Sequence, residues 1–201
     1  MNGLITEDRE QPAGFEFEPK SFFDTFVNVA KMMILKPREF FRQLPVNGPA
    51  TNPMAFLGFC SFITALLVAN ARSGGFELFV MLCCANIFST LIGSACMHLL
   101  VKKLYRSAAP FGATLRVLAY ASLMDTASWI PLAGPFAYFY GLYLVYVGIQ
   151  EQHRITPRQA AIAVTIIVCI VTALAMAIML VSPESFSESL KMLDPQSADS
   201  F

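Results

Sequence analysis

The sequence predicts an all-α integral membrane protein with five transmembrane helices, the third and fourth forming a short hairpin, and an N-terminal amphipathic interfacial helix. Of the 201 residues, 56% are hydrophobic and only 14% are charged, whereas a soluble domain carries about 25% charged residues. Long apolar stretches recur along the chain, and basic residues cluster in alternate connecting segments. These observations predict a chain whose bulk lies in a bilayer.

Both ends of the chain lack a repeating apolar face. Residues 1–20 are acidic and contain two prolines, and residues 182–201 are acidic and rich in serine. Such segments bury too little apolar surface to offset the entropy of ordering. We therefore expect a flexible acidic tail over 1–20 and a second flexible tail over 182–201.

Residues 21–44 carry apolar side chains at the spacing of one helical face. Lys31 interrupts the stretch, which is therefore too short to span a bilayer. Pro37 divides it in two, because proline disfavours helix in the preceding residue but suits the first position of a new helix. We expect both helices to lie in the membrane interface rather than to pack on a soluble core. The expected anchors are four phenylalanines: Phe22, Phe26, Phe40 and Phe41.

The five-helix membrane domain is predicted over residues 53–181. Three of its stretches are apolar throughout and read as single spans: 53–71, 76–101 and 160–181. At about 1.5 Å per residue, each reaches across a hydrocarbon core of about 30 Å.

A longer apolar run, from Leu115 to Ile149, is too long for one crossing. As a single helix it would measure about 50 Å. The sequence "IPLAGP", residues 130–135, breaks it with two prolines and a glycine. The prediction is a hairpin of two antiparallel helices, 115–130 and 135–150, which either crosses with local thinning of the bilayer or stops within it as a re-entrant hairpin.

The basic residues indicate an orientation. All of the 14 lysines and arginines except Arg72 and Lys191 lie in the N-terminal segment, in the connection after the second span or in the connection after the fourth. The positive-inside rule places the N-terminus in the cytoplasm and the C-terminus outside the cell (inner) membrane. The later connections hold six residues expected to form a belt that sets topology and contacts lipid headgroups, or binds one headgroup or partner specifically. They are Lys102, Lys103, Arg106, Arg116, Arg154 and Arg158.

Four pieces of sequence occur in a characteristic order between residues 35 and 161. They are "LKPREFFRQLP", "LRVLAYAS", "IPLAGP" and "YGLYLVYVGIQEQHRITPRQAA". In this combination the chain resembles the Yip1 family of five-span membrane proteins, and its size resembles the bacterial branch. Eukaryotic members act in ER-to-Golgi traffic and associate with one another and with small GTPases of the Rab class, and they carry a "DLYGP"-like motif that this sequence lacks. The resemblance therefore implies a fold and a membrane location, and GTPase binding is not carried over.

Asp125 is the sharpest candidate for an intramembrane polar site. A carboxylate at membrane depth is costly and usually faces the helix bundle or a cavity. Asn86 on the second span and Tyr143 on the fourth are expected at similar depth. The site is either proton- or cation-linked, or a satisfied hydrogen bond between helices, or a carboxylate close enough to the membrane surface to be hydrated.

Two histidines and a cysteine lie near the cytoplasmic ends of the helices: His98, Cys96 and His153. Nothing in their spacing defines a metal site. The favoured interpretation of His98 is an interfacial histidine whose ring extends towards water. We expect no metal and no cofactor.

Enzyme signatures are not found. The sequence has no nucleophile elbow, no P-loop and no HExxH motif, and its basic residues follow the loops rather than a nucleic-acid-binding pattern. We expect a non-enzymatic adaptor, organiser or subunit of a membrane complex, whose partners are the lipid bilayer and a membrane protein or further copies of itself, and not nucleic acid. The alternative is a small transporter, a channel-like or a lipid-moving protein with a cavity around Asp125.

Overall fold

The computed structural model describes residues 16–17, 19, 22–127 and 129–181, and every regular element among them is helical. The α-helices are α1 (Phe22–Leu35), α2 (Pro37–Gln43), α3 (Thr51–Ala71), α4 (Phe76–Tyr105), α5 (Phe111–Ala121), α6 (Ala133–His153) and α7 (Pro157–Val181). A 3₁₀ segment, Ser122–Ala127, continues α5. The all-α class is confirmed over these residues.

Three helices are long and apolar enough to cross a membrane. They are α3, α4 and the part of α7 from Pro157 to Ala177, with 21, 30 and 21 residues. They correspond to the first, second and fifth predicted spans. A capping box begins α7, because the Thr156 backbone N–H donates to Gln159 Oε1 at 2.9 Å and the Gln159 N–H donates to Thr156 Oγ1 at 3.4 Å.

The predicted hairpin is present as a chain reversal, but its bounds differ from the prediction. The α5 helix begins at Phe111, directly after Pro110, and its α-helical part ends at Ala121. The 3₁₀ segment then runs to Ala127, and α6 begins at Ala133. Pro135 therefore lies in the first turn of α6, where its missing N–H breaks no helical hydrogen bond. The α6 helix is as long as α3, but four tyrosines make it less apolar.

The first two helices divide where the sequence predicts. The α1 helix ends at Leu35, and Pro37 is the first residue of α2. The α2 helix packs against α6, and Gln152 fixes that contact by donating from Nε2 to the Phe41 carbonyl at 2.7 Å. The Tyr140 hydroxyl donates to the Ile34 carbonyl at 2.8 Å, where α1 has unsatisfied carbonyls.

Two of the four expected anchors are not placed to meet lipid. Phe40 and Phe41 are 0% exposed, and the Phe40 ring stands edge-on to Tyr120 of α5 at 5.3 Å. These two residues belong to the protein core, which corrects the expectation from sequence. Helical periodicity reports an apolar face, but not whether protein or lipid covers it.

The other two anchors, Phe22 and Phe26, are partly buried. Their rings pack edge-on against Phe59 of α3 at 4.4 and 5.0 Å. The apolar residues that α1 turns outward are instead Phe23, Val27 and Ile34, which are 78%, 60% and 50% exposed.

The N-terminal segment also differs from the expected flexible tail at two residues. Glu16 and Phe17 pack against the helices, and Phe17 is fully buried. The rest of residues 1–20 except Pro19, and all of 182–201, lie outside the described residues.

Contacts group the chain into two compact units, one ending at Val164 and the other beginning at Thr165. In the first unit, α3 packs against α4, α5 and the 3₁₀ segment, and α5 packs against α6. Of the second unit, the structure describes the remainder of α7, to Val181.

Candidate functional site

Asp125 borders a pocket of about 180 Å³ between the 3₁₀ segment, α4 and α6. The polar side chains that line it with Asp125 come from Thr90, Ser122 and Tyr138. The Ser122 hydroxyl donates to the Ala119 carbonyl at 2.7 Å. The pocket is therefore mostly apolar, with one carboxylate and a few hydroxyls on its wall.

The two residues that the sequence suggested beside Asp125 are not among those that line this pocket. Asn86 and Tyr143 do not line this pocket; Tyr143 lines a different, outward-facing hollow with Tyr140. The 3₁₀ segment explains the difference. It has three residues per turn rather than 3.6, so Asp125 faces a direction that a continuous α-helix would not give it.

Four polar side chains, three of them buried, form a hydrogen-bonded chain that joins the ends of α4, α5 and α6. Ser107 Oγ lies 2.9 Å from His153 Nδ1, His153 Nε2 lies 2.8 Å from Thr114 Oγ1, and Thr114 Oγ1 lies 3.2 Å from His98 Nδ1. Each hydroxyl and each neutral imidazole carries one proton to donate, so all three hydrogen bonds form when the protons point the same way along the chain. Sequence analysis singled out both histidines but missed Thr114, whose hydroxyl connects them.

His153, an inner member of this chain, also lines a second pocket of about 490 Å³, whose wall includes Asn47 and Arg154. Burial, reinforced by the neighbouring His98, lowers the pKa of His153 to about 4. A neutral His153 is therefore the form present at pH 7.

The cysteine near these histidines faces elsewhere. Cys96 is exposed, whereas His98 is buried. Among the residues that the structure describes, no three His, Cys, Asp or Glu side chains are grouped so that they could hold a metal ion.

Comparison with protein families gives a match to the Yip1 domain over residues 31–179, which cover α2 to most of α7 and the end of α1. The chain belongs to the Yip1 family. No curated protein and no solved structure gives a significant match.

The basic belt of this Yip1 domain divides into two kinds of residue. Five of the six side chains are exposed and available to headgroups or a partner: Lys102, Lys103, Arg106, Arg154 and Arg158. Arg116 is different, because it is only 1% exposed. A buried guanidinium must be paired inside the protein, so Arg116 is removed from the expected headgroup site.

The partners of Arg116 come from three parts of the chain. Its Nε donates to Glu16 Oε1 at 3.1 Å, its Nη2 to the Pro49 carbonyl at 2.7 Å and its Nη1 to the Gly112 carbonyl at 3.4 Å. Of these acceptors only Glu16 carries a charge. Glu16 lies outside the matched Yip1 domain, and Arg116 lies within it.

Phe17, the next residue, also packs against α3 and α5. Its ring stands edge-on to Phe22 at 5.3 Å and to Phe56 of α3 at 5.5 Å, and its backbone N–H donates to the Tyr120 hydroxyl at 3.3 Å. We call the surface formed by Phe56, Arg116 and Tyr120 the α3–α5 cleft. Sequence reasoning missed this cleft, because no local pattern connects residues 16–17 with α5.

Proposed function

We propose that this Yip1-family chain is a non-enzymatic adaptor, organiser or subunit of a membrane complex, acting through contacts between its helices and those of a partner membrane protein or a second copy. It resides in the cell (inner) membrane with the N-terminus cytoplasmic and the C-terminus outside. In this proposal the third and fourth crossings lie within residues 115–130 and 135–150, which completes five and leaves His153 outside them.

The outer face of α4 carries the proposal. Phe88, Ile92 and Leu99 are each more than half exposed and follow one another at helical spacing. Cys96 lies between them on the same face and is also exposed. In a bilayer such a face is covered by lipid chains or by another helix, and small residues along it allow close approach. The face is long and apolar, which suits a contact with a membrane-embedded partner.

Contacts at one end of the first unit support the orientation. Ser107, next to Arg106, bonds His153, next to Arg154. Glu151 also pairs with Arg38 and Arg42 of α2, at 3.2 and 3.3 Å. Since these contacts bring the three basic segments together, the positive-inside rule assigns them one common side.

The outward residues of α1 support contact with the membrane surface. Phe23, Val27 and Ile34 share one face, and Lys31 and Lys36 are exposed on the same part of the chain. An apolar face with neighbouring lysines suits an interfacial helix on anionic lipid.

Photo-crosslinking in living cells tests the adaptor role. Benzoylphenylalanine placed at Ile92 reports on the outer face of α4, and the same residue placed at Met97, which is buried on that helix, serves as the matched control. We expect a discrete crosslinked protein at Ile92 and only intramolecular products at Met97. Crosslinks to lipid alone at both Phe88 and Ile92 would remove the support for an adaptor.

A further inference from the structure

We infer that the α3–α5 cleft is a recognition site for a peptide segment in which a carboxylate side chain directly precedes a phenyl ring. Glu16 and Phe17 are its occupant in this chain, and they are a separable ligand rather than an integral part of the domain. The inference concerns a peptide site on the cytoplasmic end of the protein and does not rest on the adaptor role.

The charge at the base of the cleft selects the first residue of the segment. Arg116 is buried and donates to two neutral carbonyls, Pro49 and Gly112, which cannot neutralise it. The Glu16 carboxylate supplies the missing negative charge at 3.1 Å. A buried cation favours an acidic side chain at this position over a neutral one.

The aromatic wall of the cleft selects the second residue. Phe56 and Tyr120 are fully buried, with ring centroids 4.9 Å apart, and Phe17 stands edge-on to Phe56. Edge-to-face packing favours an aromatic side chain at this position. The Tyr120 hydroxyl accepts the Phe17 backbone N–H, which fixes the direction of the segment.

The connectivity of the segment indicates that it is separable. Neither Glu16 nor Phe17 belongs to an α-helix or a strand. The cleft residues lie inside the Yip1 domain match, whereas residues 16–17 precede its start at residue 31. The domain therefore provides the receptor, and an added N-terminal segment provides the ligand.

Peptide binding to the full-length chain in nanodiscs tests the site. The double variant Glu16→Gln, Phe17→Ala vacates the cleft without shortening the chain. We expect a fluorescent peptide of residues 12–21 to bind this variant at least about tenfold more tightly than the wild-type chain, whose cleft is occupied. Peptides carrying Glu16→Gln or Phe17→Ala should each lose about tenfold in affinity for the vacated cleft. Equal binding to both proteins and to empty nanodiscs, or equal binding of all three peptides, would overturn the inference.

A second measurement needs no vacated variant, in case that protein fails to fold. Azidophenylalanine replaces Phe17 in the otherwise native full chain, and the crosslinked sites are read by mass spectrometry. We expect crosslinks to α3 and α5 near Phe56 and Tyr120, and we expect excess free peptide to suppress them. Crosslinks elsewhere, or crosslinks that excess peptide leaves unchanged, contradict a separable ligand. Mixing two differently tagged chains before illumination distinguishes a segment bound to its own cleft from one supplied by a second copy.

Discussion

Glu16 and Arg116 are 100 residues apart in sequence, and their side chains meet at 3.1 Å in a place where the arginine is 1% exposed. Removing one partner of a buried ion pair leaves the other charge unpaired in a medium of low polarity. We therefore expect Glu16→Gln to lower the free energy of unfolding by about 3 kcal/mol, measured by SDS titration in mixed micelles.

The surface pair Lys36–Glu39 is the matched control. Its atoms lie 3.2 Å apart, but both side chains are more than half exposed. Such pairs contribute little, so Glu39→Gln should change the free energy of unfolding by less than about 0.5 kcal/mol. Similar effects of the two substitutions would mean that the Arg116 charge is neutralised in some other way.

An added methyl group is expected to have opposite effects at two glycines on different helices. A Cβ at Gly148 of α6 would lie 2.5 Å from Val117 Cγ1 and 3.1 Å from the Phe41 ring, whereas a Cβ at Gly58 of α3 would meet nothing within 4 Å. Gly148→Ala should destabilise by about 1–3 kcal/mol through overpacking. Gly58→Ala should stabilise by about 0.5–1 kcal/mol, because glycine is the poorer helix former. Destabilisation of equal size at both positions would contradict the close α5–α6 packing.

Because the pKa of His153 is low in the folded chain, we expect the folded chain to lose stability in acid. That pKa is about 4 in the folded chain and about 6.5 in the unfolded chain. Above pH 6.5 the imidazole is neutral in both states and its contribution is complete. Between about pH 6.5 and 4, only the unfolded chain binds the proton, so the free energy of unfolding decreases as the pH is lowered. The total loss is about 3 kcal/mol and is complete below the folded pKa.

His153→Gln is the variant that isolates this effect, since glutamine retains hydrogen-bonding capacity but does not titrate. The titratable neighbour that acts on His153 is His98, whose charge lowers the His153 pKa in addition to burial. Thermal unfolding from pH 7.5 to 4.5 should show a shallower pH dependence in the variant. Parallel profiles for the two proteins would show that His153 is already solvated in the folded state.

The outward face of α1 predicts which of its residues touch lipid. A single tryptophan is introduced at Phe23 or at Asn28 in a Trp129→Phe background, because Trp129 is the only tryptophan in the sequence. Positions 23 and 28 lie about 140° apart around a helix. We expect brominated lipid to quench Phe23→Trp several-fold more strongly than Asn28→Trp. Equal quenching would remove the support for an interfacial α1.

Asp125 distinguishes the adaptor from the transporter. The pocket that it borders is about 180 Å³ and largely apolar. In an adaptor, Asp125→Asn should preserve the crosslinked product at Ile92 and shift stability by no more than about 1 kcal/mol. Loss of a reconstituted proton or ion flux in a folded Asp125→Asn protein would instead favour transport.

Local chemistry explains what the sequence predicted well. The breaks at Pro37 and at residues 131–135 follow from the missing N–H and fixed φ of proline, which act wherever the chain goes. The long apolar stretches at α3, α4 and α7 were found for a similar reason, because length and hydropathy are properties of a single segment.

Pairings across the chain were not predictable in the same way. The acidic partner of Arg116 is 100 residues away in sequence. The pattern of basic residues that indicates topology is the same whether a given arginine is exposed or buried. Phe40 and Phe41 lie on an apolar helical face, and sequence alone does not distinguish a face covered by lipid from one covered by protein. Sequence pattern predicts a regular α-helix around Asp125, whereas the helix changes to 3₁₀ geometry after Ala121, and periodicity gives no sign of that change.

The α4 and α6 helices end in the same unusual way, at Arg106 and Arg154, with φ of 51° and 52°. A left-handed backbone costs an L-residue about 1–2 kcal/mol, and glycine would relieve it. Glycine would also delete a positive charge from each of the two connections that, in the proposed orientation, must stay in the cytoplasm. At these two residues, glycine would lower the backbone strain of the folded state, but arginine supplies the positive charge that sets the orientation of the chain in the membrane.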